Sequence, residues 1–332
     1  MKIAIVKLSA LGDIVHAMVV LQFIKKYNQA IEIDWIVEED YKELLYSHPD
    51  INKVVVINLR KAKKKKSIFL LINELKKARK LRHYDLVIDM QGLVKTAMVS
   101  WLIPSTLTIG FDRASAREGI ASFFYNKTFN CDYSKNIIER NFELMAIALE
   151  SSANKREIKD KLPFLYASKK YTYAKLSKSK KNIILIPGAS HKSKYYSTKN
   201  LNKLTTLIDA NFLIIWGDSN EKIMAEEIKT QTLNVNVCEK LSIDSLKSLI
   251  SQVDLVIGPD SGPTHMAWGL NVPSITLFGA TPGYRNTYLT KINRIIESKS
   301  KVNPFKIDKN DFSITNIEVT DIVKMADYLL KL

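Results

Sequence analysis

The residues best suited to chemistry lie in one loop, 257–265, which reads Ile-Gly-Pro-Asp-Ser-Gly-Pro-Thr-His. An apolar run typical of a short buried strand precedes it, and apolar residues typical of a helix follow His265. Open parallel sheets bind ligands at such strand-to-helix turns. Asp260, Ser261 and the amides near Gly262 would lie at a helix N-terminus, which favours phosphate or sugar hydroxyls. A plain helix cap explains one polar residue but not four, so we interpret the segment as a binding loop.

A second strand-to-helix loop lies near the amino terminus. Residues 2–7 are typical of a strand, and Leu8-Ser-Ala-Leu-Gly-Asp13 leads into an apolar helix. The single glycine excludes the three-glycine dinucleotide fingerprint and the P-loop. Asp13 falls in the first helical turn, where the helix dipole normally depresses the pKa of a carboxylate. For an isolated Asp a helix cap is the simpler interpretation, and His16 is typical of a hydrogen-bonded helix residue.

Composition indicates an ordered globular protein with room for two α/β domains. The chain has 332 residues, of which 46% are hydrophobic, with only 11 Gly and 9 Pro. Cys131 and Cys238 lack metal-ligand spacing and are typical of thiols in a reducing compartment. No signal peptide is visible, and no apolar run approaches the roughly 18 residues that span a bilayer. We therefore expect a soluble, cytoplasmic protein.

The net charge of +16 is concentrated in segment 60–82, which holds eleven Lys or Arg residues against one acid, Glu74. Apolar residues at roughly helical spacing separate its two basic groups: Ile68, Phe69, Leu71, Ile72 and Leu75. A basic amphipathic helix suits an anionic membrane surface, at about 1 kcal/mol per near-surface cation. Nucleic acid would use the same charges, but no stacking series or nucleic-acid motif accompanies them. A solvated face explains any single lysine, whereas the density of the segment favours an anionic partner.

The elements that must position these loops form two similar halves. Strands are predicted at 2–7, 31–37, 54–58 and 86–89, and again at 183–186, 213–216, 235–238, 255–257 and 275–278. Strands separated by helices predict parallel sheets with right-handed crossovers. The Lys-, Ser- and Tyr-rich segment 166–181 is the best linker candidate, and the amphipathic tail 320–332 must pack on another element. Two facing sheets would enclose a cleft for two substrates.

Several motifs in order resemble those of the bacterial ADP-heptose lipopolysaccharide heptosyltransferases. The motifs are Ser9-Ala-Leu-Gly-Asp-Ile-Val-His16, Asp89-Met-Gln-Gly-Leu-Val-Lys-Thr96, Gly110-Phe-Asp, Glu139-Arg-Asn-Phe-Glu-Leu144, Gly258-Pro-Asp-Ser-Gly-Pro-Thr-His265 and Phe278-Gly-Ala-Thr-Pro282. The resemblance covers nearly the whole chain and is closest to the heptosyltransferase I type, which adds the first heptose to a Kdo residue of the inner core.

This resemblance implies the glycosyltransferase B fold, an α/β architecture of two Rossmann-like domains facing a cleft, whose C-terminal helix crosses back to the first domain. The expected division is an acceptor-binding domain 1–166, a linker 167–181, an ADP-heptose-binding domain 182–314 and a helix 315–332 packing on the first domain.

The resemblance implies inverting transfer, with Asp13 as the candidate base for the acceptor hydroxyl. A helix-capping Asp is a weak base, so the closed cleft and bound substrates would have to raise its pKa. Otherwise Asp13 would orient the acceptor or stabilise positive charge developing on the sugar ring. The sequence leaves these alternatives open.

The donor is expected on loops of the second domain. A hydroxyl and a cation at a strand-end turn suit a diphosphate, which implies Ser190 with Lys194, or Lys192 in its place. Each of these residues also has a simpler interpretation without a ligand. The loop around Ser190 and Lys194 could be a solvated basic turn, Glu221 a glutamate in the first turn of a helix, and Leu241 a core leucine. The implied donor set is Ser190, His191, Lys192, Lys194, Glu221 at the ribose, Leu241 near the adenine, Asp260, Ser261, Gly262 and His265, the last of which could instead cap its own loop.

The Kdo carboxylates and lipid A phosphates require cations around the first-domain loops, and Arg suits bidentate carboxylate binding. The resemblance implies Lys7, Arg60, Lys95, Arg117 and Arg140 for this acceptor-binding role. No Asp-x-Asp and no His/Cys/carboxylate cluster with ligand spacing occurs, so we expect no metal and no cofactor.

The expected partners are ADP-heptose, Kdo-lipid A and an anionic membrane surface, without nucleic acid, and the expected location is the cytoplasmic face of the inner membrane. Three alternatives remain. A heptosyltransferase II-type enzyme would act on a heptose acceptor. A non-catalytic nucleotide- or anionic glycolipid-binding protein would bind ADP without turnover. A nucleotide-sugar epimerase would turn over the donor without any lipid acceptor.

Overall fold

The computed structural model describes all 332 residues and divides into two compact units, Met1–Tyr166 and Ala167–Leu332. Each unit is built on one six-stranded parallel sheet with helices in the crossover connections. The predicted α/β class, with two Rossmann-like domains, is therefore confirmed for each unit.

The first unit contains the strands β1 (Lys2–Val6), β2 (Glu32–Val37), β3 (Lys53–Val56), β4 (Tyr84–Asp89), β5 (Ser105–Phe111) and β6 (Lys127–Phe129). Its helices are α1 (Leu11–Met18), α2 (Val20–Tyr27), α3 (Lys42–Leu45), α4 (Leu59–Lys64), α5 (Ile68–Arg79), α6 (Val94–Leu102) and α7 (Ile137–Ala148). The central strand β1 is buried over 3–6, which explains its nearly continuous apolar run.

The second unit contains the strands β7 (Asn182–Leu185), β8 (Asn211–Ile214), β9 (Val235–Val237), β10 (Leu255–Pro259), β11 (Ser274–Phe278) and β12 (Asn293–Glu297). Its helices are α8 (Thr198–Leu207), α9 (Ser219–Lys229), α10 (Ile243–Ile250), α11 (Gly262–Gly269), α12 (Gly283–Asn286) and α13 (Val319–Leu329). Strands β5, β6 and β12 were not predicted.

Both sheets have the same strand order. The first runs β3-β2-β1-β4-β5-β6, and the second runs β12-β11-β10-β7-β8-β9. Each order reverses between the first and fourth strands of its unit, and ligands bind at such switch points in open α/β sheets. Val6 of β1 pairs with Asp89 of β4, and Leu185 of β7 pairs with Ile257 of β10. Within each sheet, the loops that follow these two neighbouring strands therefore lie side by side.

The segment expected as a linker, 167–181, lacks regular helix or strand and is anchored to α10. Ser168 donates to the Asp244 carboxylate from its backbone N–H at 3.0 Å and from its hydroxyl at 2.5 Å. The Tyr171 N–H donates to Ser248 Oγ at 3.0 Å. The segment therefore belongs to the packed structure of the second unit.

The segment 315–332, which was expected to pack on the first domain, contains the helix α13 of the second unit. Helix α13 packs on α8 and β11. Its apolar residues Ile322, Ala326 and Leu329 lie in the hydrophobic core of the second unit. The amphipathic pattern correctly predicted a buried helix face, but that face is used by the unit to which the helix is attached.

Candidate functional site

At the switch point of the first sheet, hydrogen bonds join the loop after β1 to the loop after β4. Gln91 Oε1 accepts the N–H of Leu8 at 2.8 Å and that of Ser9 at 3.4 Å. Its Nε2 donates to Ser9 Oγ at 3.3 Å. The Lys7 ammonium donates to the carbonyl of Met90 at 2.8 Å. The two loops therefore form one braced structure immediately before α1.

Asp13 is exposed in the first turn of α1. Its Oδ2 accepts the N–H of Ala10 at 3.2 Å, so the side chain turns back onto the loop that precedes the helix. An exposed carboxylate at this sheet edge is accessible to an incoming hydroxyl, which a base requires. His16, one turn later, is buried, as expected for a helix residue.

Asp89 organises the loop that carries Gln91. Its fully buried carboxylate accepts the N–H of Gln91 at 2.8 Å, the N–H of Gly92 at 3.2 Å and the Tyr125 hydroxyl at 2.8 Å. Burial raises the pKa of Asp89, while these donors oppose the rise. Gly92 has φ +67°, a left-handed conformation that glycine adopts without steric penalty. Sequence reasoning assigned no role to Asp89 or Gln91, although both lie in the 89–96 motif.

Two of the five predicted acceptor-binding cations are buried. Lys7 is 3% exposed and Arg140 is 2% exposed. The Arg140 guanidinium donates to the carbonyl of Ser115 at 2.5 Å and lies 4.6 Å from the ring centre of Phe111. In this structure Lys7 and Arg140 hold loop backbones, and they do not present their charges at the surface.

The remaining predicted cations, Arg60, Lys95 and Arg117, are exposed or partly exposed on elements that follow β3, β4 and β5. Glu38, at the end of β2, accepts the backbone N–H of Arg60 at 3.1 and 3.3 Å and so fixes the start of α4. Burial raises the pKa of Glu38 to about 7, opposed by that N–H and by the charges of Lys95 and Arg60. Burial also lowers the pKa of Lys95, which Glu38 counteracts. Sequence reasoning missed Glu38.

In the second unit, polar groups from three strand-end loops converge on the buried carboxylate of Asp260. The Lys194 ammonium lies 2.6 Å from Oδ2, and His265 Nε2 lies 2.9 Å from Oδ1. The Thr281 hydroxyl, after β11, donates to Oδ2 at 2.9 Å. Burial alone would raise the pKa of Asp260, but the Lys194 charge and the bond from His265 hold it well below its usual range. Thr281 was quoted in a sequence motif but was given no role.

The start of α11 adds backbone donors beside this carboxylate. The Thr264 hydroxyl accepts the N–H of Ser261 at 3.2 Å and donates to the carbonyl of Pro259 at 3.1 Å. These bonds fix the turn at which the N–H groups of Gly262 and the following residues point out of the helix. A helix N-terminus beside a cation is suited to a phosphate. The helix cap is therefore confirmed, and the binding loop stays a prediction.

The loop after β7 and the start of α9 meet at two glycines. Glu221 Oε2 accepts the N–H of Gly217 at 2.6 Å, and burial raises the pKa of Glu221. A Cβ at Gly188 would lie 2.7 Å from the Glu221 side chain, so glycine permits this close approach. Ser190 and Lys192 are exposed and His191 is partly buried, with its pKa lowered by burial and by nearby lysines. Lys194, not Lys192, contacts Asp260.

Leu241 is partly exposed in the segment after β9, so it is not a core leucine. The predicted donor residues therefore follow β7, β8, β9 and β10 at the carboxyl edge of one sheet. The structure brings Lys194, Asp260 and His265 into direct contact. It also seats Glu221 against the loop after β7.

No three His, Cys, Asp or Glu residues are grouped so that they could hold a metal ion. No helix has the combination of length and apolar character needed to cross a membrane. Both cysteines are buried and form no disulfide.

Comparison with known proteins gives consistent matches along the chain. The model of glycosyltransferase family 9 (heptosyltransferase) matches residues 72–310. The sequence is 40% identical to lipopolysaccharide heptosyltransferase 1 of Campylobacter coli, over 99% of each chain. It is 28% identical to lipopolysaccharide heptosyltransferase 1 of Pseudomonas aeruginosa, over 87% of this chain and 81% of the relative.

Solved structures show the same fold. Escherichia coli heptosyltransferase WaaC with ADP has a TM-score of 0.81 at 23% identity, over 99% of this chain and all of the other. The structure of E. coli ADP-heptose lps heptosyltransferase II has a TM-score of 0.74 at 19% identity, over 100% of this chain and 99% of the other.

Proposed function

The chain belongs to glycosyltransferase family 9, the heptosyltransferases, and from this premise we propose that it transfers L-glycero-D-manno-heptose from ADP-heptose to a Kdo residue of Kdo-lipid A. The product belongs to the inner core of lipopolysaccharide or lipooligosaccharide. The observation that carries the proposal is the cluster of Lys194, Asp260 and the α11 N-terminus, since a cation beside backbone donors suits a departing diphosphate.

The proposed reaction forms one glycosidic bond and breaks another. The acceptor hydroxyl loses its proton to the Asp13 carboxylate as its oxygen attacks the anomeric carbon of heptose. The bond between that carbon and the diphosphate breaks, and its electrons leave with ADP. Lys194 and the amides at the start of α11 stabilise the negative charge that develops on the leaving group.

The nucleoside half of the donor is assigned to two neighbouring loops of the same sheet edge. Glu221, seated against Gly188 and Gly217, would accept hydrogen bonds from the ribose hydroxyls. The partly exposed Leu241 would contact the adenine. Ser190 is exposed and would donate its hydroxyl to the diphosphate.

On the acceptor side, Arg60, Lys95 and Arg117 are the cations proposed to meet the Kdo carboxylates and lipid A phosphates. Their exposure supports direct contact. Lys7 and Arg140 are proposed to support the binding loops from beneath, because both are buried and donate to backbone carbonyls. We also propose that the enzyme works at the anionic cytoplasmic face of the inner membrane, where such an acceptor is embedded.

The test is release of ADP from ADP-heptose by the purified protein, with and without Kdo-lipid A. We expect release that depends on the acceptor, near-complete loss in Asp13→Asn and unchanged ADP affinity in that variant. Lys194→Met should weaken ADP binding by about tenfold or more, since a charged hydrogen bond contributes about 1.5–3 kcal/mol. Lys192→Met is the matched control and should bind ADP nearly normally.

Two outcomes would contradict the proposed transfer, and a third would change only the role of Asp13. Turnover with a heptose-terminated acceptor but not with Kdo-lipid A would assign a heptosyltransferase II-type activity. ADP binding without any turnover would indicate a non-catalytic binding protein. Wild-type turnover in Asp13→Asn would remove Asp13 as the base while leaving the transfer reaction intact.

A further inference from the structure

Three neighbouring elements of the first unit expose large apolar side chains. We name these residues the apolar patch: Ile68, Phe69 and Ile72 of α5, Trp101 of α6, and Ile120 and Phe123 of the 3₁₀ helix Gly119–Phe124. Phe69 is 70% exposed, Trp101 64% and Phe123 76%. Single exposed apolar residues are ordinary, but six on neighbouring elements, three of them aromatic, are typical of an interaction surface.

The members of the apolar patch lie on elements that pack together. Helix α5 packs on α6, and α6 packs on the 3₁₀ helix. Trp101 lies 6.3 Å from Phe124 between ring centres. Ala78 of α5 and Val99 of α6 contribute to one hydrophobic core with the sheet. The inward faces of these helices are thus already buried, and the apolar patch is additional to the core.

Charge identifies the occupant of this surface. Lys63 to Lys66 precede Ser67, the N-cap of α5, and the cations from Lys76 to Arg82 end this helix and follow it; nearly all of these cations are exposed. The one acid between them, Glu74, is mostly buried and paired with Lys77 at 2.7 Å. Protein interfaces are depleted in lysine, whereas an anionic bilayer attracts lysines around inserted Trp, Phe and Leu side chains.

We propose that the apolar patch inserts into an anionic lipid bilayer, with the lysines of 63–66 at the phosphate level. This inference deepens the proposed function, because it names the residues that hold the enzyme at the membrane bearing its acceptor. Helix α6 carries Lys95 in its first turn and Trp101 near its end, about 9 Å apart along the axis at 1.5 Å per residue. One helix therefore joins the apolar patch to a proposed acceptor cation.

A second connection joins the apolar patch to the acceptor cations. Glu118 Oε2 accepts the N–H of Val94 at 2.7 Å, which ties the start of the 3₁₀ helix to the start of α6. Arg117 immediately precedes that glutamate. Docking by Phe123 and Trp101 would therefore fix the depth of Arg117 and Lys95 together.

The test is co-sedimentation of the full chain with vesicles of phosphatidylglycerol and phosphatidylcholine, compared with phosphatidylcholine alone. We expect binding to the anionic vesicles only, and a loss of about tenfold or more in Phe69→Ser/Phe123→Ser, since each buried aromatic side chain contributes strongly to transfer from water. Phe305→Ser is the matched control, because Phe305 is 67% exposed in the second unit. Nitroxide-labelled lipid should quench the fluorescence of the wild type more than that of Trp101→Phe.

Equal binding of wild type and Phe69→Ser/Phe123→Ser, or a larger loss in Phe305→Ser, would overturn the inference. Equal binding to neutral and anionic vesicles would also overturn it. ADP release with a deacylated, water-soluble Kdo acceptor separates the two proposals. That activity should be unchanged in Phe69→Ser/Phe123→Ser, and its absence in the wild type would defeat the proposed function without affecting the vesicle result.

Discussion

Replacing Asp260 by Asn removes a negative charge, at nearly constant shape, from a buried carboxylate that contacts Lys194, His265 and Thr281. Removing one partner of a buried ion pair typically costs about 3–5 kcal/mol, because the other charge is left uncompensated. Lys194 retains some solvent contact, so we expect a loss at the lower end of this range, about 3 kcal/mol of the free energy of unfolding. For a unit of this size that corresponds to a Tm lower by about 6–12 °C.

The effect should depend on pH in a defined direction. The folded-state pKa of Asp260 lies well below its ordinary value of 3.8. The ionised carboxylate therefore contributes its full stabilisation of the fold at pH values above 3.8. As the pH falls further, the unfolded chain binds a proton that the folded chain does not, and the stabilisation is lost. The stability difference between wild type and Asp260→Asn should shrink as the pH falls below about 4.

Urea unfolding at several pH values measures this difference, and Asp209→Asn is the control. Asp209 also lies 2.5 Å from a lysine, Lys180, but both side chains are exposed. An exposed pair contributes about 0–1 kcal/mol, so its removal should change stability little despite the short distance. In a double-mutant cycle, adding Lys194→Met to Asp260→Asn should remove the unpaired cation and restore part of the lost stability. Wild-type stability in Asp260→Asn, or a difference that persists unchanged to about pH 3, would refute the assignment of a buried ion pair.

Three further predictions concern the strand-end loops. Gln91→Leu should lower kcat about tenfold or more with unchanged ADP affinity, because the loop before α1 loses acceptors for two N–H groups at about 1–3 kcal/mol each; an equal loss in calorimetric ADP binding would contradict this positioning role. Glu38→Gln should gain stability relative to wild type as the pH rises from 4.5 to about 7, since over that interval the unfolded wild-type chain loses the proton that folded Glu38 keeps, and urea unfolding with pH measures it. Glu221→Gln should weaken ADP about tenfold but leave 2′,3′-dideoxy-ADP unaffected, and equal losses for both nucleotides would exclude a ribose contact.

The sequence predicted the elements whose signals are local. Strand β10 is an apolar run that ends at glycine, proline and small polar residues, and β1 is an apolar run followed by Ser9 and Gly12, so both the strands and their loops could be identified. Strands β6 and β12 could not be identified, because β6 has three residues and β12 carries charges at an edge of its sheet. In α13 the periodicity shows that one face is buried, but the surface it meets depends on contacts far away in the chain.

The candidate site could be predicted by residue type but not by contact. Lys7 and Arg140 were predicted as acceptor-binding cations, yet a sequence does not show that their charges are buried. The Asp260 cluster joins residues at 194, 265 and 281, and only the parallel strand order brings those positions together. Gln91 went unassigned because a neutral amide in a loop has no sequence signal for the two backbone N–H groups that it accepts.

The shared strand order explains why the proposed chemistry lies on the same pair of loops in both units. At each switch point the crossovers leave in opposite directions, so the loops after the first and fourth strands are left uncovered beside each other. Such loops need a brace, and the two braces differ in kind. In the first unit the Gln91 amide and the buried Lys7 ammonium bond to loop backbones, immediately before the helix that carries the proposed base Asp13. In the second unit the brace is the ion pair of Lys194 and Asp260, which holds an ammonium at the N-terminus of α11, where a diphosphate would carry its charge away.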